Sequence, residues 1–282
     1  MLEKDPLHIA ILDRNAVIFL RDWGPGTFGG NMSRFIRLRR LDRHFTMVTP
    51  MFSIWEGKTG VVESTEEKIL TVAEEAKVMR RFFRRARTDG LFFETEKQMF
   101  AEAFAGHSEE KFPAYLQIVS YIQQTLYQRP APRDRKDIQE TIIAMAKESE
   151  IGLGHPIVVI ALAQLHGSLV TQGVFKAKQK IKNPENAAYN AAMDILVLSR
   201  LAQIQSVIND KSMAAHTRLS YVTFDPSLEK LLVLLRPNSS SSILMGEGQV
   251  SSTYTPYREL FPDLDEDGYF ELMTDLGGFK ND

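Results

Sequence analysis

The sequence contains no cysteine among its 282 residues, and this absence excludes several kinds of chemistry. Disulfide bonds, thiolate metal sites and cysteine nucleophiles all require a thiol. Long hydrophobic runs are missing as well. The longest, at 157–165, includes a glutamine, is much shorter than the roughly 18 residues of a membrane span, and predicts a core helix. The N-terminus lacks the basic-then-apolar pattern of a signal peptide, so we expect a cytoplasmic protein without a membrane partner.

A strong excess of charge is also missing. The 34 Lys and Arg residues nearly balance the 36 Asp and Glu residues, and the net charge is −2. This balance argues against a protein whose whole surface attracts nucleic acid. It conceals two arginine clusters, SRFIRLRRLDR at 33–43 and RRFFRRAR at 80–87. Solvated helix faces would explain them, but guanidinium groups also pair with phosphate oxygens, so we predict nucleic-acid contacts. The residues predicted to make these contacts are Arg37, Arg39, Arg40, Arg80, Arg81, Arg84 and Arg85.

The strand signals are few and far apart. Short apolar runs predict strands at 8–13, 45–50 and 220–224, separated by long helical stretches. This alternation is typical of an α/β fold, here with a parallel sheet flanked by helices. The proline-marked stretch QRPAPRDR at 128–135 is the best internal boundary. After the serine linker at 236–242 the periodicity is lost, which predicts an irregular C-terminal extension.

The helical stretches are recognised by their apolar spacing. Ser64, followed three residues later by Glu67, predicts a capping box at the start of a long amphipathic helix. Helical structure is predicted at 16–22, 32–43, 64–128, 137–149, 156–170, 185–208 and 228–235.

Two aspartates follow predicted strands directly. The stretch HIAILDRNAV places Asp13 and Asn15 after the first strand, and SYVTFDPSLEKLL places Thr223 and Asp225 after the third. Taken alone, Asp13 is most simply a helix cap. Ligands of open parallel sheets, however, gather beyond the carboxyl ends of the strands. We therefore expect both aspartates at one edge of the sheet.

Two further acids continue apolar helical stripes. In MVTPMFSIWEG, Glu56 shares a helical face with Phe52, although an exposed position near the helix end is an alternative. In NAAYNAAMDILVLSRLAQI, Asp194 lies among core-like residues, with Asn190 one turn earlier. No Lys or Arg lies three or four residues from Asp194. An ionised Asp there needs a partner from elsewhere in the fold or a metal ion; a buried, hydrogen-bonded Asp is the alternative.

Carboxylates that cluster repel one another unless a cation neutralises them. Mg²⁺ and Mn²⁺ are hard cations that prefer carboxylate oxygens. We therefore predict a Mg²⁺ or Mn²⁺ site held by four acids, Asp13, Glu56, Asp194 and Asp225. The side chains expected to orient these ligands or a bound water are Asn15, Asn190 and Thr223.

These four segments, in this order, resemble the PIN domain, the metal-dependent nuclease fold of many toxin–antitoxin ribonucleases and 5′-nuclease relatives. AILDRNAV is similar to the family's opening strand with its Asp and Asn, and MVTPMFSIWEG to the segment of its second acid. YNAAMDILVLSRLA is similar to the alanine-rich helix of the third acid, and VTFDPSLEKLL to the closing Thr-x-Asp before a leucine helix. The resemblance implies a PIN-like core at 1–62 and 151–235. It leaves 63–150 as a helical insertion, a departure from the family pattern, and 236–282 as a C-terminal extension.

The resemblance implies an enzyme that hydrolyses phosphodiester bonds, namely an endoribonuclease using one or two Mg²⁺ or Mn²⁺ ions. It implies nucleic acid as partner, RNA rather than DNA, and it allows for an inhibitory protein partner and a homo-oligomer. Two alternatives stay open. One is a non-catalytic PIN-like module that binds RNA or acts as a scaffold, in which the acids are only structural. The other is a structure-selective DNA nuclease.

Two other motifs are weaker. GPGTFG at 24–29 fits the dinucleotide-binding pattern G-x-G-x-x-G, but it does not follow a strand directly. DLDEDGYFELMT at 263–274 resembles a calcium loop, with Thr274 where the loop requires a bidentate Glu. We predict no ligand at either.

Overall fold

The structure is a computed structural model that describes most of the chain. The described residues are 7–23, 31–58, 62–104, 110–210, 217–237, 243–245, 249–251 and 254–277. The glycine-rich motif at 24–29 and most of the predicted serine linker lie outside the described residues.

The chain forms two compact units. The first, here called the sheet unit, contains Met1–Ser108 and Val207–Asp225, and the second, here called the helical unit, contains Glu109–Ser206 and Pro226–Asp282. The predicted division at 62, 150 and 235 follows motif boundaries rather than compactness, and it stays a prediction.

The sheet unit is built on four parallel strands, which confirms the predicted α/β fold. The strands are β1 (Leu7–Leu12), β2 (Thr46–Thr49), β3 (Arg87–Thr88) and β4 (Thr217–Val222). Their order across the sheet is β3-β2-β1-β4, and every neighbouring pair is parallel. The prediction missed β3, because a two-residue strand inside an arginine cluster has no apolar alternation.

Six helices surround this sheet in sequence. They are α1 (Arg14–Asp22), α2 (Met32–Arg39), α3 (Met51–Glu56), α4 (Thr65–Phe82), α5 (Gly90–Thr95) and α6 (Lys97–Phe104). The predicted capping box of α4 is confirmed: the Glu67 amide donates to the Ser64 hydroxyl at 3.3 Å, and the Ser64 amide donates to the Glu67 carboxylate at 3.1 Å. The continuous helix predicted over 64–128 is wrong, because the chain leaves α4 after Phe82 to form β3.

The central strands are covered by apolar side chains, as a parallel sheet requires. Ala10, Leu12 and Val48 are fully buried and pack in one cluster with Leu20 of α1 and Met79 of α4. A second cluster joins α3, α4 and α5 through residues that include Ile54, Val72 and Phe93. The packing fixes where the carboxyl ends of the strands emerge.

The helical unit consists of helices and two short antiparallel strand pairs. Its helices are α7 (Phe112–Thr125), α8 (Arg135–Glu148), α9 (Pro156–Leu165), α10 (Leu169–Phe175), most of α11 (Pro184–Asp210), α12 (Pro226–Leu234) and α13 (Glu266–Asp275). The strand pairs are β5 (Leu235–Pro237) with β8 (Tyr254–Pro256) and β6 (Ile243–Met245) with β7 (Gln249–Ser251). All ten residues of α9 are buried, as predicted for a core helix. The predicted helix at 156–170 divides into α9 and α10, because Ser168 caps a new helix by accepting from the Thr171 amide.

The C-terminal extension is more ordered than its sequence suggests. Helix α13 begins where Asp265 accepts a hydrogen bond from the Gly268 amide at 2.8 Å, so the calcium-loop-like motif contains a helix start. Its first acid, Asp263, is 3.0 Å from the Arg135 guanidinium and also pairs with Arg129. These ion pairs connect the extension to the break between α7 and α8, within one unit.

Two segments pass a test of length and composition for membrane spans. Among the described residues they are Pro184–Ile208 and the pair α9–α10, which is bent by 119°. Of the apolar window in the first, 56% is buried inside the protein. Core helices of soluble proteins pass the same test, so this is weak support for a membrane segment.

Candidate active site at the carboxyl edge of the sheet

The carboxyl ends of the four parallel strands meet at one edge. Asp13 follows β1, Asp89 follows β3, and Thr223 and Asp225 follow β4, while Thr49 ends β2. The chain adds β2 and β3 on one side of β1 and β4 on the other, so the strand order reverses between β1 and β4. Ligands of open α/β sheets bind at such a reversal point.

Asp13 is buried at this point, with 3% of its surface exposed. Its Oδ1 accepts a hydrogen bond from the Ala16 amide at 2.6 Å, which makes it the N-cap of α1. The Asn15 side-chain amide lies 3.5 Å from Oδ2, and the Thr223 hydroxyl donates to the same carboxylate. The cap interpretation of Asp13 is therefore correct, and the cap coexists with the partners predicted for a site.

The electrostatic surroundings of Asp13 are unfavourable for its charge. Burial raises the pKa of the Asp13 carboxyl above its ordinary value, and the nearby Asp225 carboxylate raises it further. Hydrogen bonds from Thr223, Ala16 and Asn15 oppose this rise without cancelling it. A buried carboxylate with a raised pKa beside a like charge is typical of functional sites.

Thr223 connects the two strand ends. It is fully buried, and its hydroxyl accepts a hydrogen bond from the Asp225 amide at 3.0 Å while donating to Asp13. Its backbone carbonyl accepts a hydrogen bond from the Arg37 guanidinium at 3.0 Å. Thr223 and Asn15 thus lie against Asp13, in the places that the sequence predicted.

The other two predicted ligands are not gathered with this pair. Glu56 is the last residue of α3 and is half-buried. Within the ranges that the structure describes, no three His, Asp or Glu side chains form a group that could hold a metal ion. What the structure assembles at this edge is a pair of carboxylates.

Asp194 lies in the helical unit, on α11. Its Oδ2 is 3.7 Å from the Lys176 ammonium, and Lys176 follows α10 with a left-handed φ of 51°. The partner that the apolar stripe required is therefore a lysine from another helix end. Asn190, one turn earlier on α11, is half-buried.

Most of the predicted nucleic-acid-binding arginines lie near the opposite, amino edge of the sheet. Asp42 precedes β2 there, and its Oδ1 accepts from the backbone amides of Arg84, Arg85 and Ala86, which precede β3, at 2.9, 2.7 and 3.0 Å. The Arg39 guanidinium lies 3.2 Å from Asp42 and 3.2 Å from the Phe82 carbonyl. Asp42 thus joins the two arginine clusters.

The remaining arginines of the predicted set differ in their contacts. Arg81 donates to the carbonyls of Leu20 and Arg21 at the end of α1, and Arg80 pairs with Glu94. The side chains of Arg40, Arg84 and Arg85 are exposed. Arg37 is the predicted arginine that contacts the carboxyl edge.

Sequence reasoning missed two buried acids near this edge. Asp89 has a raised pKa because of burial, opposed by a hydrogen bond from Thr49. Glu75 of α4 accepts from the Ser53 hydroxyl at 2.8 Å, and burial raises its pKa to about 7, although Ser53, Arg14 and Lys68 oppose the rise. The position of Glu75 beside Val72 and Ala76 on the apolar stripe of α4 was an available signal; Asp89 offered none, since β3 has no pattern.

Comparisons with known proteins do not assign a family. No protein-family model, curated protein or solved structure matches this chain.

Proposed function

We propose that the sheet unit is a metal-dependent phosphodiester hydrolase of the PIN type that cuts RNA. The observation that carries the proposal is the pair of carboxylates, Asp13 and Asp225, at the reversal point of an all-parallel sheet. The proposal is further supported by Asn15 and Thr223, which contact Asp13 as the PIN-like motifs imply.

A two-carboxylate site suits Mg²⁺ or Mn²⁺. Mg²⁺ in phosphoryl-transfer sites is commonly held by one or two carboxylates, with waters and substrate phosphates filling the other positions. The raised pKa of Asp13 means that its buried charge lacks sufficient compensation, which a divalent cation would supply. The participation of Glu56 and Asp194 stays a prediction, and the proposal does not require it.

The residues of this chain have distinct parts in such a reaction. Asp13 and Asp225 would hold the ion, whose chemistry is to lower the pKa of a bound water and stabilise charge on the phosphate. The Thr223 hydroxyl, donating to Asp13, orients that carboxylate toward the edge. The Ala16 amide holds Asp13 Oδ1 in place, and each carboxylate oxygen has a second lone pair for a ligand.

A second candidate is the non-catalytic module, and one observation favours it. Asp13 caps α1, so a structural role alone would account for an aspartate at this position. The two candidates differ in metal dependence, because a cap needs no cation. RNA as the substrate, an inhibitory protein partner, a homo-oligomer and a cytoplasmic location stay predictions that follow from the resemblance.

The test measures cleavage and Mn²⁺ binding with the full chain. A mixed RNA pool, single-stranded DNA and a DNA flap are incubated with Mg²⁺ or Mn²⁺ and with EDTA. We expect EDTA-sensitive cleavage of RNA, reduced at least about 100-fold by Asp225→Asn. The matched control is Asp22→Asn, at an exposed aspartate that ends α1, which should cleave normally.

Other outcomes separate the alternatives. Cleavage of the flap but not of RNA would favour the DNA nuclease. Absence of both cleavage and calorimetric Mn²⁺ binding would contradict the hydrolase and leave the non-catalytic module.

A further inference from the structure

Two arginines of α2 lie at the end of β4, beside the carboxylate pair. Arg34 and Arg37 are three residues apart and therefore share a helical face. Their guanidinium carbons are 5.2 and 6.0 Å from the centre of the Phe224 ring. Phe224 is the residue between Thr223 and Asp225, so both cations lie next to the candidate site in the fold.

The positions of these cations are supported by packing. The Phe224 ring contacts Phe19 of α1 edge to face, with ring centres 5.6 Å apart. A guanidinium over an aromatic face is attracted by the ring electrons. Arg37 is held further by its hydrogen bond to the Thr223 carbonyl, whereas the Arg34 side chain is exposed.

The charge balance at this edge gives the two arginines a purpose. Asp13 and Asp225 would repel an approaching nucleic-acid backbone, which is itself anionic. Two guanidinium groups compensate these two carboxylates, and a bound divalent cation would make the edge attractive to phosphate. The second arginine cluster cannot do this, because its backbone is tied to Asp42 at the amino edge.

We propose that Arg34 and Arg37 bind a backbone phosphate of a single-stranded nucleic acid and thereby place the strand across the Asp13–Asp225 edge. The identification of that strand as a substrate rests on the proposed function; the binding itself does not. Guanidinium groups suit this role because they present paired donors to phosphate oxygens. Phosphate contacts position a strand without reading its bases, so RNA and single-stranded DNA should bind alike through this pair.

The test measures binding without cleavage. A fluorescein-labelled single-stranded RNA is titrated with the full chain in EDTA, at several salt concentrations, and anisotropy is recorded. We expect Arg34→Gln to weaken binding about 5- to 10-fold and to reduce the salt slope by about one. Arg34→Lys keeps the charge and should recover part of the affinity.

The matched control is Arg43→Gln. Arg43 is an exposed arginine of the same cluster, but it precedes β2 and therefore lies at the amino edge. We expect its affinity to stay within about twofold of the natural chain. Thermal unfolding of each variant checks that the fold is intact.

The possible results separate this inference from the proposed function. Equal loss of affinity in Arg34→Gln and Arg43→Gln, or no loss in either, would overturn the inference. If the natural chain cleaves RNA and Arg34→Gln keeps its KM, the inference fails while the proposed function stands. If Arg34→Gln alone loses affinity but no variant cleaves RNA, the inference stands and the proposed function fails.

Discussion

The two edges of the sheet each hold a buried aspartate, and the two carboxyl groups have opposite surroundings. Asp42, at the amino edge, accepts three backbone hydrogen bonds at its Oδ1 and lies beside Arg39. Burial alone would raise the pKa of Asp42, but the three amide donors and the Arg39 charge outweigh it, so the pKa is lowered. At the carboxyl edge, the same balance leaves the pKa of Asp13 raised.

The difference shows how a structural aspartate can be told from a candidate ligand. Asp42 is stabilised as an anion by the backbone it holds together, so it needs nothing further. Asp13 is buried next to Asp225 and has fewer donors, so its charge costs free energy in the isolated protein. Such a cost is typical of a functional site, where stability is lowered in favour of binding.

The largest expected effect tests the amino edge. Asp42→Ala removes the acceptor of three amides and should lower the free energy of unfolding at pH 7 by about 3 kcal/mol. Urea denaturation measures the loss. The natural chain should also lose the contribution of Asp42 as the pH falls below about 3.8, because its folded pKa is lowered. Asp22→Ala, at an exposed position, should change stability by less than about 0.5 kcal/mol. A small loss in Asp42→Ala would mean that the junction is held by other contacts.

The next effect tests whether burial alone can raise a pKa in the sheet unit. Glu75 has a folded pKa of about 7 against a model value of 4.5, so its contribution to stability is complete below pH 4.5 and is lost as the pH rises through 7. Glu75→Gln removes this dependence and should be the more stable protein at pH 8, by about 2–3 kcal/mol. Unfolding curves at pH 5 and pH 8 measure the change, with Glu74→Gln as an exposed control. Parallel losses at both pH values would show that Glu75 is charged throughout.

A smaller effect of opposite sign is expected at the carboxyl edge. Asn is as good a helix cap as Asp, so Asp13→Asn keeps the cap of α1 while removing a buried charge. We expect the free energy of unfolding at pH 7, without divalent cations, to rise by roughly 1 kcal/mol. Urea denaturation again measures it. A fall comparable to that of Asp42→Ala would show that Asp13 is structural and would remove the contrast between the edges.

The smallest effect concerns the pair itself. Asp225→Asn removes the like charge beside Asp13, so the pKa of the Asp13 carboxyl should fall, while the pKa of Asp42 stays as it is. A carboxyl-carbon NMR titration of both residues measures this directly. An unchanged Asp13 pKa would mean that burial alone accounts for its rise.

Much of the local structure could be predicted from sequence. The strand and helix around Asp13, the capping box at Ser64 and the short helix that ends at Glu56 all depend on residues a few positions apart. The contact of Thr223 with Asp13 was predicted from strand-end patterns and one rule about parallel sheets. The four-acid cluster was not assembled, because Asp194 pairs with Lys176 and Glu56 joins no group of three acids in the described part of the chain.

The sequence by itself determined the parallel α/β plan, the caps and the aspartates at the strand ends, because these depend on periodicity and on hydrogen bonds between near neighbours. Tertiary structure decided which charges meet. It placed Arg34 and Arg37 over Phe224, brought Asp42 under the amides of the second arginine cluster, and set Asp225 near Asp13. The physical reason is that burial and Coulomb interactions depend on distances in space, and strand order, which no local pattern encodes, sets those distances.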